Sequence, residues 1–111
     1  MPIEATEIAK NITFSKGQSS AVVQSSVVRG DRDIYTLRVR AGQNMSVNVT
    51  AIESNAAFSI YPPRSETPVL GTEEENDVAS WNGTIQTSGA YRIVVGGTRG
   101  NATYKLSVSV K

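Results

Sequence analysis

The segment WNGTIQTSGAYRIVVGG, from Trp81 to Gly97, decides how the fold is interpreted. It holds the only tryptophan of the chain, and its apolar residues recur at every second position on both sides of a Ser88-Gly89 turn. The positions on this face are Trp81, Gly83, Ile85, Tyr91, Ile93 and Val95. The segment predicts a β-hairpin whose apolar face closes the core, with Trp81 as its largest side chain. The alternative is a partly exposed Trp81 that stacks on a sugar or on a partner protein.

The same alternation extends through most of the chain, for example in DIYTLRVRAG, NMSVNVTA and TYKLSVSVK. The residues predicted to face the core in these segments are Tyr35, Leu37, Val39, Met45, Val47, Val49, Tyr104, Leu106, Val108 and Val110. One apolar and one polar face per strand is typical of antiparallel sheets. The pattern predicts an all-β, jelly-roll-like antiparallel β-sandwich of about eight strands. Residues 1–111 are expected to form one such domain, with residues 1–10 either part of it or a disordered tail.

The absence of histidine and cysteine excludes several kinds of active site. A Ser-His-Asp triad, a Cys-His dyad, an imidazole zinc site and a disulfide scaffold all require these residues. A glycosidase that uses carboxylates alone remains conceivable, but no pair of acids lies on a predicted buried strand face, where burial would raise a pKa. The sequence therefore predicts a protein that is not an enzyme.

The charge balance argues against nucleic acid as a partner. The chain carries 11 basic and 10 acidic residues, a formal net charge of +1, and nucleic-acid binding needs a dense basic surface. Its apolar runs are too short to span a membrane. The first ten residues, MPIEATEIAK, contain two glutamates and no apolar core of a signal peptide.

The acidic residues suggest only one possible cofactor. The run EEEND, from Glu73 to Asp77, could hold calcium, although its spacing is not that of an EF-hand loop. A solvated charged loop is the simpler interpretation, so no cofactor is expected. Asp31 and Asp33 flank Arg32 and are interpreted as turn residues that precede a strand.

Several segments together resemble two related bacterial families. DIYTLRVRAGQNMSVNVT is similar to the strand-turn-strand segment of pre-peptidase C-terminal (PPC) domains and of periplasmic inhibitors of g-type lysozyme. FSIYPPRS from Phe58, WNGTI from Trp81 and SGAYRIVV from Ser88 favour the inhibitor family. The resemblance covers roughly residues 12–110, and both families are β-sandwiches.

The resemblance implies a secreted or periplasmic protein that blocks a lysozyme cleft with loop residues. Arg99, in GGTRGNA between two predicted strands, is the first candidate, because a guanidinium can grip a cleft carboxylate with two hydrogen bonds. Tyr61, Arg64 and Arg92 are further candidates for the partner-binding surface. The alternative function is a PPC-like accessory module that binds matrix, calcium or a partner enzyme without inhibiting it. Because exposed edge strands can pair between copies of the chain, the protein is expected to be a monomer or a weak homodimer.

Overall fold

The described part of the chain folds as two stacked β-sheets. The computed structural model describes residues 7–12, 20–28, 31–51, 55–73, 77–98 and 101–111. The strands are β1 (Glu7–Asn11), β2 (Ser20–Val27), β3 (Arg32–Val39), β4 (Asn44–Ala51), β5 (Ala56–Tyr61), β6 (Ser80–Thr84), β7 (Gly89–Gly97) and β8 (Ala102–Val110). One sheet has the order β1-β3-β7-β5 and the other β2-β8-β4-β6. None of the described residues forms a helix long and apolar enough to cross a membrane.

The architecture confirms the predicted all-β antiparallel sandwich. Strands β2 to β8 pair antiparallel, whereas β1 pairs parallel with β3. Residues 7–10 of β1 fall within the range 1–10 for which a tail was one expectation, and residues 1–6 lie outside the described residues.

Successive strands alternate between the two sheets, as in a jelly roll, so no two consecutive strands are hydrogen-bonded neighbours. The predicted hairpin from Trp81 to Gly97 is therefore wrong, because β6 and β7 lie in different sheets. The link that contains Arg99 also joins two sheets and is not a hairpin tip. Alternation fixes which face of a strand is buried but not which strand lies beside it. Four linking residues, such as 85–88, are long enough to cross the roughly 10 Å between stacked sheets.

The core consists of the inward rows of both sheets. In DIYTLRVRAG, NMSVNVTA and TYKLSVSVK, every residue that the alternation placed on a buried face is buried, from Tyr35 on β3 to Val110 at the end of β8. Phe58 and Ile60 of β5 also belong to the core. The period-two prediction of the core is confirmed.

Trp81 is half-buried at the edge of this core and is not its largest piece, contrary to the prediction. It lies opposite Val47 on the inward face of edge strand β6, and it packs against the core cluster. The indole lies along Gly83, where an added Cβ would come within 2.7 Å of the Trp81 ring carbon Cζ2. The glycine two residues after the tryptophan therefore provides the space in which the ring lies.

Gly83→Ala is expected to push the indole outward and to lower the free energy of unfolding by about 1 kcal/mol. The ring sits at a sheet edge, so it can move toward solvent more easily than a fully enclosed ring. Because Trp81 is the only tryptophan, its fluorescence reports the displacement directly, as a red-shifted emission maximum. Asn82→Ala, on the exposed face of the same strand, is the matched control. An unchanged emission maximum in Gly83→Ala would contradict the role assigned to the glycine.

The chain after β5 covers the outer edge of that strand. The Ile60 N–H donates to Thr72 Oγ1 at 3.1 Å, and the Phe58 N–H donates to the Val78 carbonyl at 2.8 Å. The Val69 N–H in turn donates to the Ile60 carbonyl at 2.7 Å. Thr72 is fully buried by this arrangement. Edge strand β5 is thus closed to further pairing along these residues.

Candidate functional site: the arginine end

Three connecting loops meet at one end of the sandwich. They are residues 40–43 between β3 and β4, residues 62–66 after β5, and residues 85–88 between β6 and β7. The exposed cations of these loops are Arg40 and Arg64, and Lys111 follows β8 at the same end. We call this surface, with Arg92 beside it, the arginine end.

The AGQ segment builds the first loop. Gly42 has a positive φ of 95°, as the third position of a type II turn requires, and the Gln43 N–H donates to the Arg40 carbonyl at 3.1 Å. The Arg40 N–H donates to Gln43 Oε1 at 2.7 Å. The Gly42 N–H donates to the Ile85 carbonyl at 2.9 Å, which joins this loop to the third.

The SGAY segment fixes the third loop against the other two. Ser88 Oγ accepts a hydrogen bond from the Ala41 N–H at 2.8 Å. Gly89 has a φ of 145°, and an added Cβ there would lie 2.8 Å from Pro63 Cγ. The Tyr91 hydroxyl donates to the Thr87 carbonyl at 2.9 Å. The segments behind the family resemblance therefore set the positions of these loops.

The PPRS segment forms a tight turn with Arg64 at its tip. The Ser65 N–H donates to the Pro62 carbonyl at 3.3 Å, and Pro63 occupies the second position. Arg64, at the third position, has a φ of 58°, a conformation that glycine or asparagine usually supplies in such turns. Its side chain is exposed, and within the described chain its guanidinium forms no hydrogen bond or ion pair. An arginine held in a strained turn and directed to solvent is a candidate contact residue.

Arg92 holds this turn from the neighbouring strand. Its guanidinium lies 5.2 Å from the centroid of the Tyr61 ring, and Nη2 donates to the Ser65 carbonyl at 2.5 Å. Glu66 Oε1 is 3.9 Å away, but the Glu66 side chain is 94% exposed, so water screens this pair. Arg92 and Tyr61 therefore act within the molecule to position the turn that presents Arg64.

Three of the four predicted partner-binding residues, Tyr61, Arg64 and Arg92, thus lie together. The fourth, Arg99, comes after the other end of β7 in the chain. Arg99 lies outside the described residues, and its role stays a prediction. The residues around it are at the opposite end of the sandwich from Arg64. There, the Thr98 N–H donates to the Asn55 carbonyl at 2.9 Å, and Asn55 Nδ2 donates to the Asn101 carbonyl at 2.8 Å.

A buried polar network near that opposite end was missed by sequence reasoning. Asp33 is 1% exposed inside β3 and accepts a hydrogen bond from the Tyr104 hydroxyl at 2.5 Å. The Tyr35 and Tyr104 hydroxyl oxygens are 2.6 Å apart. Burial, followed by the hydrogen bond with Asp33, raises the pKa of Tyr104 well above its ordinary value. The interpretation of Asp33 as a turn residue is wrong. It has the same parity as Tyr35, Leu37 and Val39, which was the available signal.

The described residues contain no cluster of three or more acidic side chains that could hold a metal ion. Of the run from Glu73 to Asp77, positions 74–76 lie outside the described residues. The Glu73 carboxylate accepts a hydrogen bond from the Gly71 N–H, with Oε2 at 2.8 Å, so this acid is used in a local turn.

Among solved structures, this chain is similar to periplasmic lysozyme inhibitors and to a PPC domain. PliG of Aeromonas hydrophila, a periplasmic lysozyme inhibitor of g-type lysozyme, matches with a TM-score of 0.84 and 28% identity over 96% of this chain and 99% of its own. PliG of Salmonella Typhimurium, also a periplasmic lysozyme inhibitor of g-type lysozyme, matches with a TM-score of 0.75 and 22% identity over 94% and 98%. The pre-peptidase C-terminal domain of a Bacillus anthracis collagenase matches with a TM-score of 0.58 and 24% identity over 100% and 98%. These neighbours confirm the resemblance. No protein-family model and no curated protein sequence matches the chain.

Proposed function

We propose that this protein is a periplasmic or extracellular inhibitor of g-type lysozyme. The observation that carries the proposal is the near end-to-end structural match to PliG of Aeromonas hydrophila. The match covers 99% of that inhibitor at 28% identity. Because of this coverage, no large element of the inhibitor lacks a counterpart here. All described strands contribute to one sandwich, which supports treating residues 1–111 as a single domain.

The arginine end supplies the chemistry that this function needs. A lysozyme cleaves glycan in a cleft that contains a catalytic carboxylate. Arg64 presents an exposed guanidinium at the tip of a turn, and Glu66 is the one acid within residues 40–43, 62–66 and 85–88. A planar guanidinium can bind a carboxylate through two parallel hydrogen bonds. We therefore assign Arg64 to the contact with the enzyme, and Tyr61 and Arg92 to the support of its turn.

The alternative, a PPC-like accessory module, has less support. The PPC domain of the collagenase matches with a TM-score of 0.58, against 0.84 for the Aeromonas hydrophila inhibitor. We also propose that the chain has no catalytic role and needs no cofactor. The absence of histidine and cysteine from the sequence supports this view, as does the nature of its inhibitor neighbours.

The purified protein is expected to stop the lysis of cell-wall suspensions by a g-type lysozyme, with one inhibitor bound per enzyme. The decrease in turbidity is measured against inhibitor concentration, and calorimetry gives the stoichiometry. A c-type lysozyme provides the comparison for selectivity. Undiminished lysis at a large molar excess, with no heat of binding, would overturn the proposed function.

A further inference from the structure

The outer edge of β2 has backbone groups that no described residue satisfies along most of its length. Asn44 and Lys111 exchange both N–H···O=C bonds, at 2.9 Å each, so the odd-numbered residues of β8 bond to β4. The even-numbered residues of β8 therefore bond to β2, where they pair with odd-numbered residues such as Val23. It follows that the even-numbered residues of β2 direct their N–H and C=O groups away from β8, in the plane of the sheet and toward its open edge.

Among the residues that the structure describes, this edge lacks the features that usually prevent further pairing. β2 is eight residues long, and its sequence, SAVVQSSV, contains no charged residue, proline or glycine. Natural sheet edges are commonly protected by charged residues, by proline or by a covering segment. The edge of β5 has such a cover, from Val69, Thr72 and Val78.

The sequence of the edge is self-complementary. Residues 22–28 read VVQSSVV, which is the same in both directions apart from Gln24 and Ser26. Val22 is 61% exposed and Val28 is 52% exposed, and they are two of the three exposed large hydrophobic residues in the described chain. Val22 belongs to the even-numbered, outward-facing row of β2, and Val28, directly after the strand, continues that row. Exposed valines at matching distances from the centre of a strand fit a second copy of the same strand.

We propose that β2 pairs antiparallel with β2 of a second copy of this chain, centred on Ser25. In this register Val22 of one copy lies opposite Val28 of the other, Gln24 opposite Ser26, and Val23 opposite Val27. In each of the two valine pairs, the side chains of the two copies cover each other, and the two four-stranded sheets join into one continuous sheet. The Val28 carbonyl already accepts the Asp31 N–H at 2.9 Å, so the central Gln24–Ser26 pairs provide the main hydrogen bonds.

The proposed pair is independent of the proposed inhibitor function. Ser20 lies opposite Ser109, close to the arginine end. Antiparallel pairing therefore directs the arginine ends of the two copies to opposite ends of the joined sheet, where both stay accessible. A single pair of edge strands buries a small area, so the dimer is weak, with a dissociation constant on the order of 100 µM.

Sedimentation velocity from roughly 10 µM to 1 mM is expected to show a monomer that becomes a dimer as concentration rises. Val22→Lys is expected to weaken the dimer at least about 10-fold, since it places a lysine at each valine pair. Leu70→Lys, which alters the third exposed hydrophobic residue, is the matched control and should leave the dimer unchanged. A monomer at every concentration, or a dimer equally strong in Val22→Lys, would overturn the proposal. Inhibition of lysozyme at low concentration stays unaltered by Val22→Lys.

The register has its own test, because the chain contains no cysteine. Ser25 faces its own counterpart at the centre of the pair, at the spacing of a non-hydrogen-bonded position, where a disulfide fits. Oxidised Ser25→Cys is expected to form a covalent dimer, whereas Val23→Cys, which faces Val27 of the second copy, is expected to do so far more slowly. Equal cross-linking of the two variants would refute the centre at Ser25.

Discussion

Tyr104→Phe is expected to lower the free energy of unfolding by about 3 kcal/mol, because it leaves Asp33 buried without its tyrosine partner. Asp33 is 1% exposed and Tyr104 is likewise 1% exposed, so water has little access to the carboxylate in the folded protein. A phenylalanine fills nearly the same volume, so the loss arises from the hydrogen bond and not from a cavity. Urea unfolding at neutral pH, followed by circular dichroism, measures the difference.

The same hydroxyl makes the stability depend on alkaline pH. The pKa of Tyr104 is raised in the folded state above its ordinary value of 10.0, chiefly by burial. Above about pH 10 the unfolded chain loses this proton while the folded protein keeps it, so the free energy of unfolding falls as pH rises. This part of the alkaline slope should be absent from Tyr104→Phe. Unfolding free energies at about pH 8 and pH 10.5, compared between the two proteins, measure it.

Tyr35→Phe is the matched control for both measurements. It removes the neighbouring hydroxyl, 2.6 Å from that of Tyr104, but leaves the bond between Tyr104 and Asp33 in place. Its loss is therefore expected to be smaller, about 1 kcal/mol. Suppose that Tyr104→Phe lowered the free energy of unfolding no more than Tyr35→Phe does, and that it kept the alkaline slope of the parent protein. The hydrogen bond from Tyr104 to Asp33 would then not stabilise the fold as proposed.

The strands and the core could be predicted from the sequence because alternation is a local signal. From Tyr35 to Val39 and from Tyr104 to Val110, each side chain reports its own face of the strand, whatever lies beside that strand. The choice between a hairpin and a link across the sandwich depends on distant strands. For that reason the pairing of β6 with β7 was predicted wrongly. Asp33 has the parity of a core residue, but its partner Tyr104 is 71 positions away.

The candidate site could be predicted only in outline. Tyr61, Arg64 and Arg92 were recognised as one possible contact surface, and the first and third lie opposite each other on β5 and β7. Which arginine supports the turn and which faces solvent depends on a hydrogen bond from Arg92 to the Ser65 carbonyl, 27 residues away along the chain. No local pattern encodes that contact. The left-handed conformation of Arg64 was equally hidden, since turns of this type usually have glycine at that position.

Arg64→Glu is expected to weaken the inhibition of g-type lysozyme at least about 100-fold, on the basis of the proposed function. The variant replaces the cation that is proposed to face a cleft carboxylate with an anion, which that carboxylate repels. Each factor of ten in affinity corresponds to about 1.4 kcal/mol. The inhibition constant from the lysis assay measures the change, and thermal unfolding establishes that the fold is kept. Lys105→Glu, which reverses an exposed charge in the middle of β8, is the matched control and should retain full inhibition.

Two further variants test two separate points. One asks whether the Arg64 guanidinium itself contacts the enzyme or only supports the fold, and the other asks which end of the sandwich the enzyme binds. Arg64→Gly removes the guanidinium but suits the positive φ of 58° at this position, so it is expected to lose inhibition without losing stability. Arg99→Glu alters the other predicted contact residue. If Arg99→Glu abolished inhibition while both Arg64 variants retained it, the enzyme would bind the opposite end of the sandwich. The assignment of the arginine end as the contact surface would then be wrong, because the strained turn and its Arg92 support would have no part in binding.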